Sequence, residues 1–292
     1  MGFWELVIEY LKVVLIAIVE GITEWLPVSS TGHMILVEKL FPLKAMSAEF
    51  YSMFLYVIQL AAILAVIVFF FGRLNPFSSK KSEADKKNTW RMWFLVLIGV
   101  IPAGVIGLLL DDFVDEHVVS ASYGAFVVAA MLIIYGVIYV WLERSKGKQE
   151  SRVQSLDQLS VKQALFIGLF QCLSIIPGTS RSGSTILGGM TLGVSRVAAA
   201  EYSFFMAIPI MVGVSLLKVG KYALRMIEGV PGYTCTGTEI GLLLVGSVVA
   251  FLVSLACIRF LMDFVHRHSF ELFGWYRIVL GILVIVYFSL FA

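Results

Sequence analysis

Two polar stretches about 150 residues apart interrupt otherwise oily sequence, and they read as copies of each other. The first is Glu20-Gly21-Ile22-Thr23-Glu24-Trp25-Leu26-Pro27-Val28-Ser29-Ser30-Thr31-Gly32-His33. The second is Gln171-Cys172-Leu173-Ser174-Ile175-Ile176-Pro177-Gly178-Thr179-Ser180-Arg181-Ser182-Gly183-Ser184-Thr185. In each, an apolar helical run bearing a Glu or Gln stops at a proline, a hydroxyl-rich loop follows, and a second apolar run begins. Irregular backbone at membrane depth persists only where it is buried in protein or lines a wet cavity. Ionisable groups there are expensive and mark functional sites by default.

The membrane premise comes from composition. Of 292 residues, 59% are hydrophobic and 14% charged, against roughly 25% charged and about 45–50% apolar in soluble domains. The chain is therefore expected to be an all-α polytopic membrane protein, one integral domain over 1–292. A span needs about 20 apolar residues, and six runs qualify, near 48–71, 90–110, 119–142, 197–217, 238–262 and 274–291. Regions 4–40 and 161–195 are broken at their centres by the two polar stretches, which predicts a re-entrant helix–loop–helix hairpin in each. The N-terminal stretch contains Glu20 and Glu24, has no basic residue before Lys12 and runs into Pro27 without a small-x-small cleavage site. It is expected to be mature structure and not a signal peptide. Cys172, Cys235 and Cys257 are widely spaced and support neither a disulfide framework nor a zinc site.

The positive-inside rule sets orientation. Loop 72–91 (Arg73, Lys80, Lys81, Lys86, Lys87, Arg91) and loop 143–162 (Arg144, Lys146, Lys148, Arg152, Lys162) are expected on the cytoplasmic side. Loop 111–118, with Asp111, Asp112, Asp115 and Glu116, falls outside, as does loop 218–237 despite Lys218, Lys221 and Arg225. Walking from these anchors puts the first hairpin outside and the second inside. Pro27 and Pro177 stand 150 residues apart, and Glu49 and Glu201, which open similar segments, stand 152 apart. The halves, approximately 1–145 and 160–292, are thus expected to be inverted-topology repeats whose loops meet near the bilayer midplane.

Glu20 and Glu24 share one helical face, where like charges repel. A divalent cation, an arginine or a shared proton must compensate them. His33 is the histidine that falls in an apolar segment of the first half; His117, His266 and His268 fall in expected loops. An imidazole exchanges protons near neutral pH. Ser29, Ser30 and Thr31 stand where a helix would restart, and Ser and Thr cap helix N-termini. That same position binds anions. In the second stretch Gly178 and Gly183 permit close backbone approach, while Thr179, Ser180, Ser182, Ser184 and Thr185 offer hydroxyls. Arg181 offers a fork suited to phosphate oxygens; its partner is Glu20 or Glu24 at rest, or an anionic ligand. One loop thus supplies acids, an imidazole and hydroxyls, and the other an anion clamp. This is equipment for phosphoryl transfer, where positioning and charge neutralisation dominate.

These two motifs resemble the signatures of the undecaprenyl-diphosphatase family, also called bacitracin-resistance proteins. The similarity runs through the chain and includes Glu49, Gln59 and the segments Gly188-Gly189-Met190 and Ser195-Arg196. The resemblance implies a multi-pass enzyme of the bacterial plasma membrane that removes the terminal phosphate of undecaprenyl diphosphate at an outward-open site. The carrier is thereby recycled for peptidoglycan synthesis, and bacitracin resistance follows. It further implies a divalent cation, Mg2+ or Ca2+, with Glu20 and Glu24 serving the metal and the acid–base work. On the same resemblance Ser30 is the nucleophile with His33 as its proton partner, and Arg181 is on the diphosphate; spacing leaves serine or histidine open as the phosphoryl acceptor. Membrane lipid is an expected partner, nucleic acid is not, and a homodimer is left open. A carrier or flippase for the polyprenyl phosphate is the main rival, because broken-helix inverted repeats are common in transporters. A scaffold whose polar residues only join helices is a third reading.

Overall fold

The computed structural model describes residues 2–119, 123–146 and 151–291. The first half contains α1 (Phe3–Thr23), α2 (Ser30–Leu40), α3 (Ala48–Phe69), the single turn α4 (Phe71–Leu74), α5 (Glu83–Val114) with a π-helical turn at Asp115–Val119, and α6 (Gly124–Lys146). The second contains α7 (Val161–Cys172) with a 3-10 turn at Leu173–Ile175, α8 (Arg181–Thr191), α9 (Arg196–Ile227), α10 (Gly237–Arg267) and α11 (Glu271–Phe291). Among the described residues extended pairing is confined to one isolated bridge, Val153 with Val194. Six described helices are long and apolar enough to cross a membrane, and they coincide with the six expected spans. The protein is multi-pass by this measure. Residues 120–122, inside the third expected span, and Lys148 of the basic 143–162 segment lie outside the described residues.

Element lengths differ from the sequence expectation in two places. The arms of the first break are unequal: α1 has 21 residues, about 31 Å at 1.5 Å per residue, whereas α2 has 11, about 16 Å. The charges of α1 are absorbed locally. The buried Glu9 carboxylate takes Lys12 at 2.7 Å and accepts the Lys44 and Ala45 amides at 2.7 and 3.0 Å, closing the α2–α3 connection over the helix. Second, several expected loops are helical. The backbone of 111–114 completes α5, and Lys218, Lys221 and Arg225 lie on α9. His117 and His266 are likewise on helical turns. The 32 residues of α9 extend about 48 Å, more than the roughly 30 Å of hydrocarbon. Charged, helix-forming residues simply continue the helix into the polar zone.

Packing then brings the breaks together. Trp25, fully buried just before Pro27, meets Phe204 of α9 edge-on at 5.4 Å in the main apolar cluster. Helix α11 lies along α6 at a close crossing. A Cβ built on Gly136 would fall 2.6 Å from the Gly274 carbonyl, and one on Gly274 would fall 2.8 Å from the Gly136 carbonyl. Small residues at helix crossings let backbones approach in this way.

Candidate active site

Each break ends in the same backbone device. Ser29 (φ 73, ψ 102) caps α2 and Ser180 (φ 72, ψ 124) caps α8. Among the described residues these are the two non-glycine positions with positive φ. Such conformations cost on the order of 1–3 kcal/mol each and persist where their surroundings over-determine them. Each hydroxyl accepts the amide three residues on, Gly32 at 3.4 Å and Gly183 at 3.1 Å. Gly178 carries φ +91, and a Cβ there would lie 2.5 Å from the Val128 carbonyl of α6, so this turn demands glycine twice over.

The two breaks are joined through Glu24. Its Oε2 accepts the Ser30 hydroxyl at 2.9 Å, and its Oε1 accepts Arg181 Nη2 at 3.1 Å. Both charged side chains are about nine-tenths buried, with exposures of 10% and 12%. Arg181 also donates to the Ser203 carbonyl at 3.0 Å and stacks its guanidinium 6.0 Å from the Trp25 ring. Ser182 donates across the interface to the Glu24 and Leu26 carbonyls at 3.2 and 3.3 Å. Ser184 reaches Tyr135 at 3.2 Å, and Thr185 reaches Ser203 at 2.7 Å. The hydroxyls at 182, 184 and 185 therefore hold the second break against its neighbours. Ser180 lies within 3.2 Å of Ser182, the Gly183 carbonyl accepts Tyr139, and Thr31 is exposed.

His33 stands apart from Ser30. Its Nδ1 is 2.7 Å from the Ser29 carbonyl and its Nε2 is 2.7 Å from the Tyr276 hydroxyl, with the two rings stacked. A carbonyl only accepts, which places the proton on Nδ1 and leaves Nε2 to accept from Tyr276. The carboxylate, and not the imidazole, is the group hydrogen-bonded to the Ser30 hydroxyl.

Several buried polar atoms have no protein partner: Glu20 Oε1, both amide atoms of Gln171, Thr179 Oγ1 and Nε of Arg181 and Arg277. Buried polar groups are nearly always satisfied, so this concentration around the two breaks marks space for water, ion or ligand. Glu20 is 2% exposed and its other contact is Gln59 of α3. Among the described residues no three His, Cys, Asp or Glu converge as a metal cluster. Two carboxylates with hydroxyl and phosphate oxygens are nevertheless a hard donor set, which suits a cation that completes its shell on a ligand.

Sequence reading found α11 as a span but missed the part its Arg277 and Tyr276 play at the two breaks. Arg277 is fully buried, donates to Pro27 of the first break at 3.1 Å and to Gly178 and Thr179 of the second at 2.9 Å each, and lies over the Tyr135 ring. It staples both breaks together through their carbonyls. Its signal was visible, since an arginine inside an apolar span is itself a marker. Tyr276 carried no such signal, because its partner is distant in sequence.

The family described as bacitracin resistance protein BacA has a sequence model that matches residues 13–283. The chain is 51% identical over 281 residues to the undecaprenyl-diphosphatase of Streptococcus thermophilus, covering 96% of this chain and 94% of that one. It is 52% identical over 283 residues to undecaprenyl-diphosphatase 1 of Clostridioides difficile, covering 97% of each. With the undecaprenyl-diphosphatase of Enterococcus faecalis the identity is 48% over 281 residues, 96% of this chain and 97% of that one.

Proposed function

The chain belongs to the bacitracin resistance protein BacA family, and we propose that it hydrolyses undecaprenyl diphosphate to undecaprenyl phosphate and inorganic phosphate. The observation that carries this reading is the Glu24 carboxylate, which accepts the Ser30 hydroxyl on one oxygen and the Arg181 guanidinium on the other. A hydroxyl within hydrogen-bond reach of a base is the arrangement of an activated nucleophile. Arg181 beside it is placed to bind phosphate oxygens bidentately.

Glu24 takes the Ser30 proton as Oγ bonds to the terminal phosphorus, and the bond to the departing undecaprenyl phosphate breaks. Water then attacks the phosphoserine, releasing inorganic phosphate while a proton returns to Ser30. Arg181 exchanges part of its contact with Glu24 for the incoming phosphoryl oxygens and neutralises their charge. Ser29 and Ser180 hold the two helix N-termini toward the same space, where free amides favour anions. His33, oriented by Tyr276, would supply a titratable group in the first turn of α2. Serine is favoured over histidine as the nucleophile because both imidazole nitrogens are already engaged. Glu20, with its unpaired buried oxygen, and Glu24 would hold the Mg2+ or Ca2+ together with diphosphate oxygens. The cation supplies charge neutralisation on the phosphoryl group.

On the family resemblance we place the protein in the bacterial plasma membrane with its site open to the outer face; the positive-inside count of Lys and Arg puts the first break toward that side. Recycling the carrier would feed peptidoglycan synthesis, and extra enzyme would relieve bacitracin, which sequesters the diphosphate. The matched Ser29 and Ser180 caps support a duplicated fold, and the charge distribution along the chain is what favours opposite orientation of its halves. That duplication also favours the carrier reading, in which the lipid phosphate crosses the bilayer. Purified protein in detergent separates the two. Phosphate release lost in Glu24→Gln and Arg181→Ala, with labelled phosphate trapped on Ser30, supports the enzyme. Lipid movement across vesicles without phosphate release would overturn it.

A further inference from the structure

The segment between α4 and α5 is bound closely to the helix it precedes. Asn75 Oδ1 accepts the Phe77 amide at 2.9 Å. Lys81 Nζ donates to the Arg73 carbonyl at 3.0 Å and to the buried Thr89 hydroxyl at 2.7 Å, while Trp93 Nε1 donates to the Leu74 carbonyl at 2.9 Å. The same arrangement leaves Phe77 79% exposed beside Trp90, itself 53% exposed, with the rings edge to face at 5.6 Å. Glu83, Lys86, Lys87 and Trp90 fall at i, i+3, i+4 and i+7 and so share one face of α5. With Pro76 and Phe77 they line an open groove of about 490 Å³. Lys86 pairs with Glu83 at 2.7 Å, whereas Lys87 has no hydrogen-bond or ion-pair partner among the described residues. From residue 72 to 91 the cationic side chains are Arg73, Lys80, Lys81, Lys86, Lys87 and Arg91, against the two acids Glu83 and Asp85. Asp85 is itself taken up by the Ser82 hydroxyl at 2.6 Å.

We infer that this groove binds the head group of an anionic phospholipid, with the phosphate on Lys86 and Lys87 and the glycerol and upper acyl carbons against Phe77 and Trp90. The assignment is independent of the proposed reaction. Trp90 opens the apolar run of α5, 90–110, so the groove stands where hydrocarbon gives way to head groups. Apolar rings facing water there are unfavourable, and aromatic side chains gather at this level because lipid covers them. Charge then selects the lipid. Clustered Lys and Arg beside a span attract anionic head groups, and the attraction fades within a Debye length. Glu83 does not cancel the site, because an exposed ion pair is weak and the flexible stem of Lys86 lets its ammonium turn to a phosphate oxygen. By the positive-inside count this is the cytoplasmic leaflet.

Lipid retention by the full-length protein in detergent, read by native mass spectrometry, tests this. Dioleoyl phosphatidylglycerol, phosphatidylethanolamine and phosphatidylcholine are added in equal amounts, and the parent should hold phosphatidylglycerol in preference to the other two. Lys86→Gln with Lys87→Gln should lower that retention about tenfold, whereas Lys86→Arg with Lys87→Arg should keep it. Arg152→Gln with Lys162→Gln removes the same charge from exposed positions of the other basic segment and should leave retention as in the parent. All three double variants should keep the parent melting temperature. Phosphatidylglycerol with a diazirine on its head, irradiated with the parent in phosphatidylcholine vesicles, should label residues between 76 and 90, a readout that needs no variant to fold. Equal retention of the three lipids by the parent overturns the assignment, as does unchanged retention in the Lys86→Gln, Lys87→Gln protein. Equal loss in the two glutamine pairs, loss in the arginine pair, or labelling confined to other segments overturns it too.

Discussion

Arg277 is the side chain on which the alignment of the two breaks most depends. Replacing it with methionine keeps an unbranched apolar stem and removes the guanidinium that holds the Pro27, Gly178 and Thr179 carbonyls at 3.1, 2.9 and 2.9 Å. Leaving a buried acceptor unpaired costs about 1–3 kcal/mol, so three give a gross loss of roughly 3–9 kcal/mol. Against that, a buried guanidinium carries a desolvation penalty of several kcal/mol that the variant escapes, and water can reach part of the vacated space. A net loss of about 3–5 kcal/mol is expected. Activity should fall further than stability alone dictates. The staple sets the distance between Ser30 and Arg181, and misplacement by about 1 Å can cost on the order of 100-fold in rate. Lysine at 277 keeps the charge but presents a single ammonium in place of a planar fork, so Arg277→Lys should recover stability more than rate. The assays are thermal unfolding in detergent and kcat for phosphate release from undecaprenyl diphosphate. Arg277→Met with the parent melting temperature and kcat would show that the two breaks hold their geometry without α11, and the stapling account would fall.

Three further outcomes follow from the same geometry. Gly178→Ala, which meets both a positive φ of +91 and the Val128 carbonyl at 2.5 Å, should destabilise by at least about 2 kcal/mol; a melting curve unchanged from the parent would contradict that. Tyr276→Phe removes the hydroxyl 2.7 Å from His33 Nε2 while keeping the stacked ring. It should leave the melting temperature near that of the parent and shift the pH–rate profile, and an unaltered profile would place His33 outside the proton chemistry. Chelation with EDTA should abolish phosphate release, restored by Mg2+ or Ca2+ in the parent and only at higher metal concentration in Glu20→Gln. Full activity in excess chelator would remove the cation from the reaction.

Legibility in the sequence followed physical range. The six spans were readable because a run of about 20 apolar residues has little alternative in a bilayer. The breaks were readable because proline followed by hydroxyls has few other uses inside such runs. Helix ends were harder. The charged continuation of α9 through Lys218, Lys221 and Arg225 carries no turn signal, and a helix leaving the hydrocarbon can go on in polar surroundings. Within the site, Glu20 or Glu24 at rest, or an anionic ligand, was the expected partner of Arg181, and the structure has Glu24 there. The partner of Ser30 was harder to read: Glu24 is six residues back across a non-helical turn, where periodicity says nothing. The family resemblance offered His33 as that partner, yet its ring turns to Tyr276, 243 residues further along. Contacts at that separation are set by packing between helices, which one sequence does not display.

The mutual contact of Gly136 and Gly274 has an effect that reaches beyond the two helices it joins. Gly274 stands just ahead of Tyr276 and Arg277 on one stiff rod, so the depth at which α11 seats against α6 sets where both side chains arrive. Added bulk at position 136, remote from any reacting atom, would push that rod outward and withdraw the imidazole's neighbour and the carbonyl staple in one movement. A chemically silent seam thereby governs the alignment of the two breaks, and the chain should tolerate added bulk there poorly.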